Sequence, residues 1–382
     1  MDSASRVRRT GRAVVVALVA AVLIAGLPVR ANAAGATWLN VSTGWGYTCG
    51  VQSDHTLWCW GLNRFGQLGV GDTTNRAVPA KVGAGSWRTV SAGLNHTCAL
   101  KTDGTRYCWG DNSYGELGLG DLLRRNAPIR LLHEGVWDSI SAGGDDTCAI
   151  RSSGELACWG YNQLGELGLG DEVNRSVPAV VDANVWTSVT AGDTFTCGLQ
   201  SDGSRHCWGD NSSGELGLGT TGNGWDVPSN PDDGTFLAIS ASDFNESGCA
   251  VSTGRRLYCW GENGSGQLGV GDNTGRTTPT MTPGGGWASV SVGGSHACGL
   301  MTDGTRYCWG SNYYGQLGLS GTTNRNQPIR LINEHKWSAV SASPAHSCGI
   351  GVDGRLWCWG LNSSGELGVG DTSNRTTPVL VS

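Results

Sequence analysis

Apolar and polar residues alternate along this chain in runs of only a few positions. Trp87-Arg-Thr-Val-Ser-Ala92, His96-Thr-Cys-Ala-Leu100 and Arg106-Tyr-Cys-Trp109 follow one another closely, separated by Gly, Asn, Asp and Thr. A period of two over so short a span, broken by turn formers, predicts short strands joined by tight turns. After the N-terminal segment no stretch sustains a helical period. Each set of runs closes on a long Gly-rich segment, Gly115-Glu-Leu-Gly-Leu-Gly-Asp121, and a final short run, Pro128-Ile-Arg-Leu131. The set then starts again. It occurs seven times, with units beginning near Trp38, Trp87, Trp137, Trp186, Phe236, Trp287 and Trp337. A repeat of this length marks a propeller, solenoid or array, in which each unit buries its apolar face against its neighbours.

The cysteines sharpen the picture. Fourteen of them form seven pairs ten positions apart: Cys49 with Cys59, Cys98 with Cys108, Cys148 with Cys158, Cys197 with Cys207, Cys249 with Cys259, Cys298 with Cys308, and Cys348 with Cys358. A three-residue loop at Thr102-Asp103-Gly104, with Gly in the left-handed position, sets Cys98 directly opposite Cys108. Opposed residues at a non-hydrogen-bonded site have the separation a disulfide needs, so one hairpin disulfide per unit is expected. Gly154, Gly203, Gly304 and Gly354 stand at the same turn position, and His55 takes it in the first unit. In the fifth unit the glycine falls one position early, at Gly254, and a different turn is expected there. No Cys-x-x-Cys or zinc-type cluster exists, so no metal site or cofactor is expected. Each disulfide closes a loop of about eleven residues, worth about 2.5–3 kcal/mol in the chain-entropy model.

Composition agrees: 62 Gly and 17 Trp suit many tight turns around large aromatic wedges. Residues 1–33 read as a secretory signal. Arg6, Arg8, Arg9 and Arg12 precede an apolar run from Ala13 to Leu27, and Ala31-Asn-Ala33 supplies a cleavage site. An even cysteine count agrees with an oxidising, extracellular destination. Removing the signal takes away five arginines and one aspartate, leaving 21 basic against 31 acidic residues. So acidic a surface makes nucleic acid a poor partner, because affinity there comes from neutralising phosphates, and none is expected. No membrane attachment is expected once the signal is gone. Residues 34–382 read as one closed domain and a monomer.

The run Val-Ser-Ala-Gly…His-Thr-Cys-Ala-Leu…Asp-Gly…Tyr-Cys-Trp-Gly…Gly-Glu-Leu-Gly-Leu-Gly-Asp resembles the repeat of the regulator of chromosome condensation family, including its bacterial alpha-tubulin-suppressor-like members. The resemblance spans Trp38 to Ser382, and Gly-[Gln/Glu]-Leu-Gly appears in all seven units. It implies an all-β, seven-bladed β-propeller of RCC1-like repeats, four short strands per blade. Placing Cys beside the Trp-Gly departs from the family and suits export. The resemblance implies several functions: a nuclear guanine-nucleotide exchange factor, a plant light sensor, and a secreted β-lactamase inhibitor. Fold alone does not choose among them. Export removes the GTPase an exchange factor needs. The light-sensor role needs clustered Trp with Arg neighbours at a dimer face, whereas these Trp sit at repeat-equivalent positions. The inhibitor reading has only Trp45 to support it.

The repeated residues read as scaffold. Trp60, Trp109, Trp159, Trp208, Trp260, Trp309 and Trp359, with the series begun by Trp38 and Trp87, are expected to pack the core. His96, His296 and His346 should make hydrogen bonds. Asp72 with Arg76, Asp121 with Arg125, Asp171 with Arg175, Asp272 with Arg276, and Asp371 with Arg375 share one spacing that predicts an ion pair pinning the long loop. A calcium loop would need denser oxygen ligands. No acid, base or nucleophile set breaks the repeat, so no enzyme is expected.

Departures from the repeat are the candidate binding residues: Trp45, Tyr47, Phe65, Tyr114, Phe195, Trp225, Phe244, Tyr313 and Tyr314. Aromatics in variable loops of a rigid scaffold suit recognition of an extracellular protein. The alternative reading is a cell-surface glycan. The fifth unit should be the least regular, with Phe236 in place of Trp and two extra residues around Asp243 to Ser247. Finally, the phase of the runs suggests that each Pro-x-x-Val segment opens the following blade. Blade one would then receive that strand from Pro378-Val-Leu-Val-Ser382.

Overall fold

The computed structural model describes residues 36–131, 135–231, 234–242, 244, 246–331 and 335–381. The signal segment expected over residues 1–33 lies outside them. The chain forms seven four-stranded antiparallel sheets, each with its strands in sequence order. In the first blade these are β1 (Trp38–Thr43), β2 (Tyr47–Gln52), β3 (Leu57–Gly61) and β4 (Arg76–Lys81). The first strands of adjacent blades touch around a central axis, and the fourth strands lie on the outer rim. This is a seven-bladed β-propeller.

The expected strand phase is wrong. Each Pro-x-x-Val segment pairs as the fourth strand of its own blade; Lys81 lies opposite Trp58, and Leu380 opposite Trp357. Among the described residues no strand is donated across the seam. The fourth strands are half-exposed, and all seven carry a proline: Pro79, Pro128, Pro178, Pro228, Pro279, Pro328 and Pro378. A proline cannot donate to a ladder, so each outer edge is blunted against pairing with another chain.

The ring closes through side chains and loops. Each Trp after the second Cys donates its indole N–H, at 2.6–2.9 Å, to the carbonyl of the Gln or Glu in the preceding blade's Gly-[Gln/Glu]-Leu-Gly segment. At the seam Trp60 bonds Glu366 O as Trp109 bonds Gln67 O. The second glycine of the segment has a positive φ and lies against that Trp; a Cβ on Gly118 would come 2.8 Å from Trp159 Nε1. Around the axis, a Ser or Thr hydroxyl of each first strand accepts a backbone N–H from a neighbouring first strand at 2.9–3.1 Å, as Ser42 does from Ala92 and Ser341 from Thr43. The inner edges are thereby satisfied without a shared sheet.

All seven expected disulfides are formed, one in the second-to-third strand hairpin of each blade. Cys49 is bonded to Cys59, Cys98 to Cys108, Cys148 to Cys158 and Cys197 to Cys207. Cys249 is bonded to Cys259, Cys298 to Cys308 and Cys348 to Cys358. In every pair the two cysteines are directly opposed, with Cα atoms 4.1–4.2 Å apart. All fourteen cysteine side chains are fully buried, so each bond serves the core and none is placed at a surface.

His55 takes a φ of 63° at its turn. The fifth hairpin does not change its turn as expected. Arg255 occupies the left-handed position at a φ of 58°, and the strand register is that of the other blades. Strand pairing on both sides fixes the loop, and Arg255 accepts the strain. The two Trp series meet in six blades, with centroids 5.6–6.1 Å apart, edge to face in five and tilted for Trp137 on Trp159. Phe236 leaves the fifth blade without such a pair.

Candidate functional site

The topology sorts the loops onto two faces. Turns between first and second strands share one face with the long loops between third and fourth strands. Hairpin turns and interblade connections occupy the other. Every candidate aromatic belongs to the first, here called the loop face. Phe65, Tyr114, Tyr313 and Tyr314 come from the long loops, Trp45 and Phe244 from the inner turns, and Trp225 from the start of a fourth strand (Gly222–Ser229).

Two candidates are withdrawn from that surface. Tyr47 and Phe195 are fully buried, at the position that His96, His296 and His346 fill in other blades. His96 bonds Thr147 Oγ1 through Nε2 at 2.8 Å, and Tyr47 instead donates its hydroxyl to His96 O at 2.6 Å. That column packs one blade on the next whatever residue fills it.

The remaining aromatics are on the surface in distinct settings. Trp45 and Phe244, 42% and 51% exposed, stand at the mouth of the axis with Leu94, Asp193 and Pro344. Phe65 is half-buried between the guanidinium groups of Arg64 and Arg124, 4.7 and 4.6 Å from its ring centre. Tyr114 packs edge to face on Tyr161 of the next blade at 4.9 Å. Tyr313, 75% exposed, packs the same way on Tyr314. Trp225 is 47% exposed and pairs with Gly209, beside a cleft of about 570 Å³ lined by Gln163, Leu164, Glu172, Asp210 and Asp226.

Acidic groups crowd the same face across blades two to five. The outer Asp–Arg pairs hold their loops at 2.5–2.7 Å and largely cancel. Their aspartate oxygens are taken up by N–H donors; Asp72 Oδ1 accepts from Thr74 N while Oδ2 meets Arg76. Further in, the carboxylates are half-buried or buried. Burial, then the charges of Asp145 and Glu246, pushes Asp193 up to about 6. Burial is also the main reason that Glu116 and Glu166 are pushed up to about 7 and Glu215 to about 8. Neighbouring carboxylates raise all three further. Carboxylate oxygens of Asp210, Glu215 and Glu246 lie within 4.8 Å of one another.

Sequence reading missed these acids and Tyr161. Asp210 and Glu246 belong to different blades, and only the docking of one blade on the next brings them together. Aligning the units would have flagged Tyr161 and Asp210, which share the variable position after Trp-Gly.

Models of the regulator of chromosome condensation (RCC1) repeat match residues 54–100, 103–150, 153–199, 256–300, 303–350 and 353–382. A second model of the repeat matches 38–67, 87–116, 137–166, 186–215, 287–316 and 337–366. The chain belongs to the RCC1 repeat family. Residues 216–255 are matched by neither model, so the irregular connection and the fifth inner turn are where this member departs most from its family.

Known structures share the fold. Human WBSCR16 is 21% identical, with a TM-score of 0.74, covering 83% of this chain and 87% of its own. Yeast RCC1 (Prp20), solved bound to Kap60, is 22% identical with a TM-score of 0.76, covering 85% and 83%. The ectodomain of the Physcomitrella patens receptor kinase CR4 is 21% identical with a TM-score of 0.55, covering 85% and 73%. No curated protein sequence matches the chain.

Proposed function

We propose that this RCC1-repeat protein is exported and binds an extracellular protein through its loop face, as a monomeric scaffold rather than an enzyme. The observation that carries the reading is the convergence of seven repeat-breaking aromatics on one face, beside an arc of acidic groups. Exposed aromatics on a rigid support supply contact area at low entropic cost, and the acids select a partner with basic side chains. Seven disulfides and the N-terminal signal pattern support export. Among the described residues no helix is long and apolar enough to cross a membrane. Protein binding by a propeller of this family has precedent in yeast Prp20, described with Kap60, Gsp1p and histones, and an extracellular setting has precedent in the CR4 ectodomain.

The test is affinity capture from culture medium with the immobilised protein, followed by mass spectrometry. Trp225→Ala with Phe244→Ala should lose the partner while keeping the melting temperature, since both side chains are about half exposed. Val185→Ser on the opposite face should retain it. Loss with Val185→Ser and retention with the aromatic variant would reverse the assignment. Co-sedimentation with purified cell wall, unaffected by competing protein, would favour the glycan reading instead.

A further inference from the structure

Each of the seven blade interfaces presents the same three positions on the loop face. One is the residue after Trp-Gly, one the Gln or Glu of Gly-[Gln/Glu]-Leu-Gly, and one the inner turn of the next blade. Between blades one and two they are Leu62, Gln67 and Asn95. At two interfaces all three are acidic: Asp111, Glu116 and Asp145 between blades two and three, and Asp210, Glu215 and Glu246 between blades four and five.

The protein treats these two sets differently. At the first, Arg124 Nε lies 2.8 Å from Asp111 Oδ1. Arg124 stands where Asn75, Asn174, Asn324 and Asn374 occur in other blades, and those asparagines accept a backbone N–H across the loop. An arginine therefore replaces the asparagine where three acids meet. At the second set the corresponding loop, Thr220 to Gly224, is rebuilt and contains no arginine. Among the described residues no lysine or arginine forms an ion pair with Asp210, Glu215 or Glu246.

The second set is also the tighter, with one carboxylate oxygen from each residue inside 4.8 Å. Glu215 is completely buried; its Oε2 accepts Ser213 N at 2.8 Å, while Oε1 is buried without a hydrogen-bond partner. The orphan oxygen recurs at Glu116, Glu166 and Glu366. Among the described residues, Asp210, Glu215 and Glu246 are the one set of three carboxylate side chains whose oxygens come within 4.8 Å of one another. Ser213 Oγ donates to Glu246 Oε2, so one serine orients two of the acids.

We propose that Asp210, Glu215 and Glu246 bind one calcium ion at the interface of blades four and five. The donors are all hard carboxylate oxygens, with no histidine or thiolate, which selects an alkaline-earth ion over zinc or copper. Calcium holds oxygens at about 2.3–2.6 Å, so a single ion spans oxygens up to about 5 Å apart; magnesium, at about 2.1 Å, requires a closer set. Three protein carboxylates leave the remaining coordination to water. The ion would do for this interface what Arg124 does for the other, and it would tie the irregular fifth inner turn to blade four. This inference does not depend on the partner-binding reading.

The experiment is calorimetric titration of calcium chloride into the EGTA-treated protein, with thermal unfolding in parallel. One site per chain is expected, with a dissociation constant in the roughly 10⁻⁴–10⁻³ M range of extracellular modules. Glu215→Gln should weaken binding at least tenfold and remove the calcium-dependent rise in melting temperature. It places at this position the residue that blades one, five and six already carry, so the fold is retained. Asp210→Asn provides a second variant with the same expected loss. No saturable calcium binding, tighter binding of magnesium, or calcium affinity unchanged in both variants would each overturn the proposal.

Discussion

Replacing Glu166 by Gln should stabilise the protein, and only at neutral to alkaline pH. Glu166 is 1% exposed at the interface of blades three and four. Its Oε2 accepts Leu164 N at 2.8 Å, and Oε1 is buried without a partner. Burial, with smaller contributions from Asp193 and Asp210, pushes its carboxyl up to about 7. The unfolded chain titrates near the ordinary glutamate value of about 4.3. The folded-state value is the higher one, so this group's contribution is fully present below pH ~4.3 and is lost as pH rises through ~7. A shift of that size corresponds to about 3 kcal/mol of destabilisation by the ionised carboxylate at pH 8. Glutamine keeps the acceptor, as Gln67, Gln267 and Gln316 do at the aligned positions, where each Oε1 accepts an N–H at 2.9 Å. Its amide group is less well served, since Gln67 Nε2 is itself buried without a partner. Leaving such a donor unpaired costs about 1 kcal/mol, for a net gain of about 2 kcal/mol at pH 8. Urea unfolding with disulfides intact, followed by Trp fluorescence at pH 8 and pH 5, measures it. A variant less stable than the parent at pH 8, or a gain equal at both pH values, would refute the reasoning.

Three further outcomes follow from the geometry. Arg255→Gly should raise stability by roughly 0.5–1 kcal/mol, because a left-handed residue other than glycine is strained and glycine's unfolded-state entropy returns part of the gain; equilibrium unfolding that shows no gain would mean the turn relaxes. Trp60→Phe at the seam and Trp309→Phe elsewhere each remove one buried indole donor and should each cost about 1–2 kcal/mol. A much larger loss at Trp60 would show that ring closure is energetically special. Replacing Cys298 and Cys308 together by Ser should lower stability by about 2–3 kcal/mol in chemical denaturation without opening the ring, since the hairpin register is also held by its strand pairing.

The sequence announced what is periodic. Ten-residue cysteine spacing with a left-handed turn residue leaves one hairpin register, and the disulfides follow from it. Strand phase was harder, because Pro-x-x-Val alternates equally well as a first or a fourth strand. The proline was the usable clue: one in every such segment points to an edge, and the outer rim is the exposed edge of each blade. Tyr47 and Phe195 misled for a different reason. A rare aromatic in a loop-like stretch looks like a contact residue, yet its burial is set by the column it occupies. Arg255 shows the same priority of geometry over local preference, since the paired strands impose a backbone that the residue does not favour.

Seven equivalent interfaces also change how a single residue can be read. In a protein without repeats, Glu215 would be one buried acid whose purpose is open to argument. Here six counterparts say what the position does for the fold: the backbone carbonyl holds the next Trp, and one side-chain oxygen holds the loop. Gln meets both needs at three interfaces, so the fold does not require a carboxylate. Two of the four acidic forms, Glu116 and Glu215, sit where two further acids meet them, and at one of these clusters an arginine appears where its counterparts have asparagine. Among the described residues, a protein cation answers the charge at that cluster alone. The same logic applies to the aromatics: Tyr313 fills a column that small or polar residues occupy in the other blades, Trp45 one that holds residues from Gly to Leu, and Phe244 an insertion, all with the strand framework unchanged. What those side chains add is directed outward, onto the face where the compensated and uncompensated acids lie.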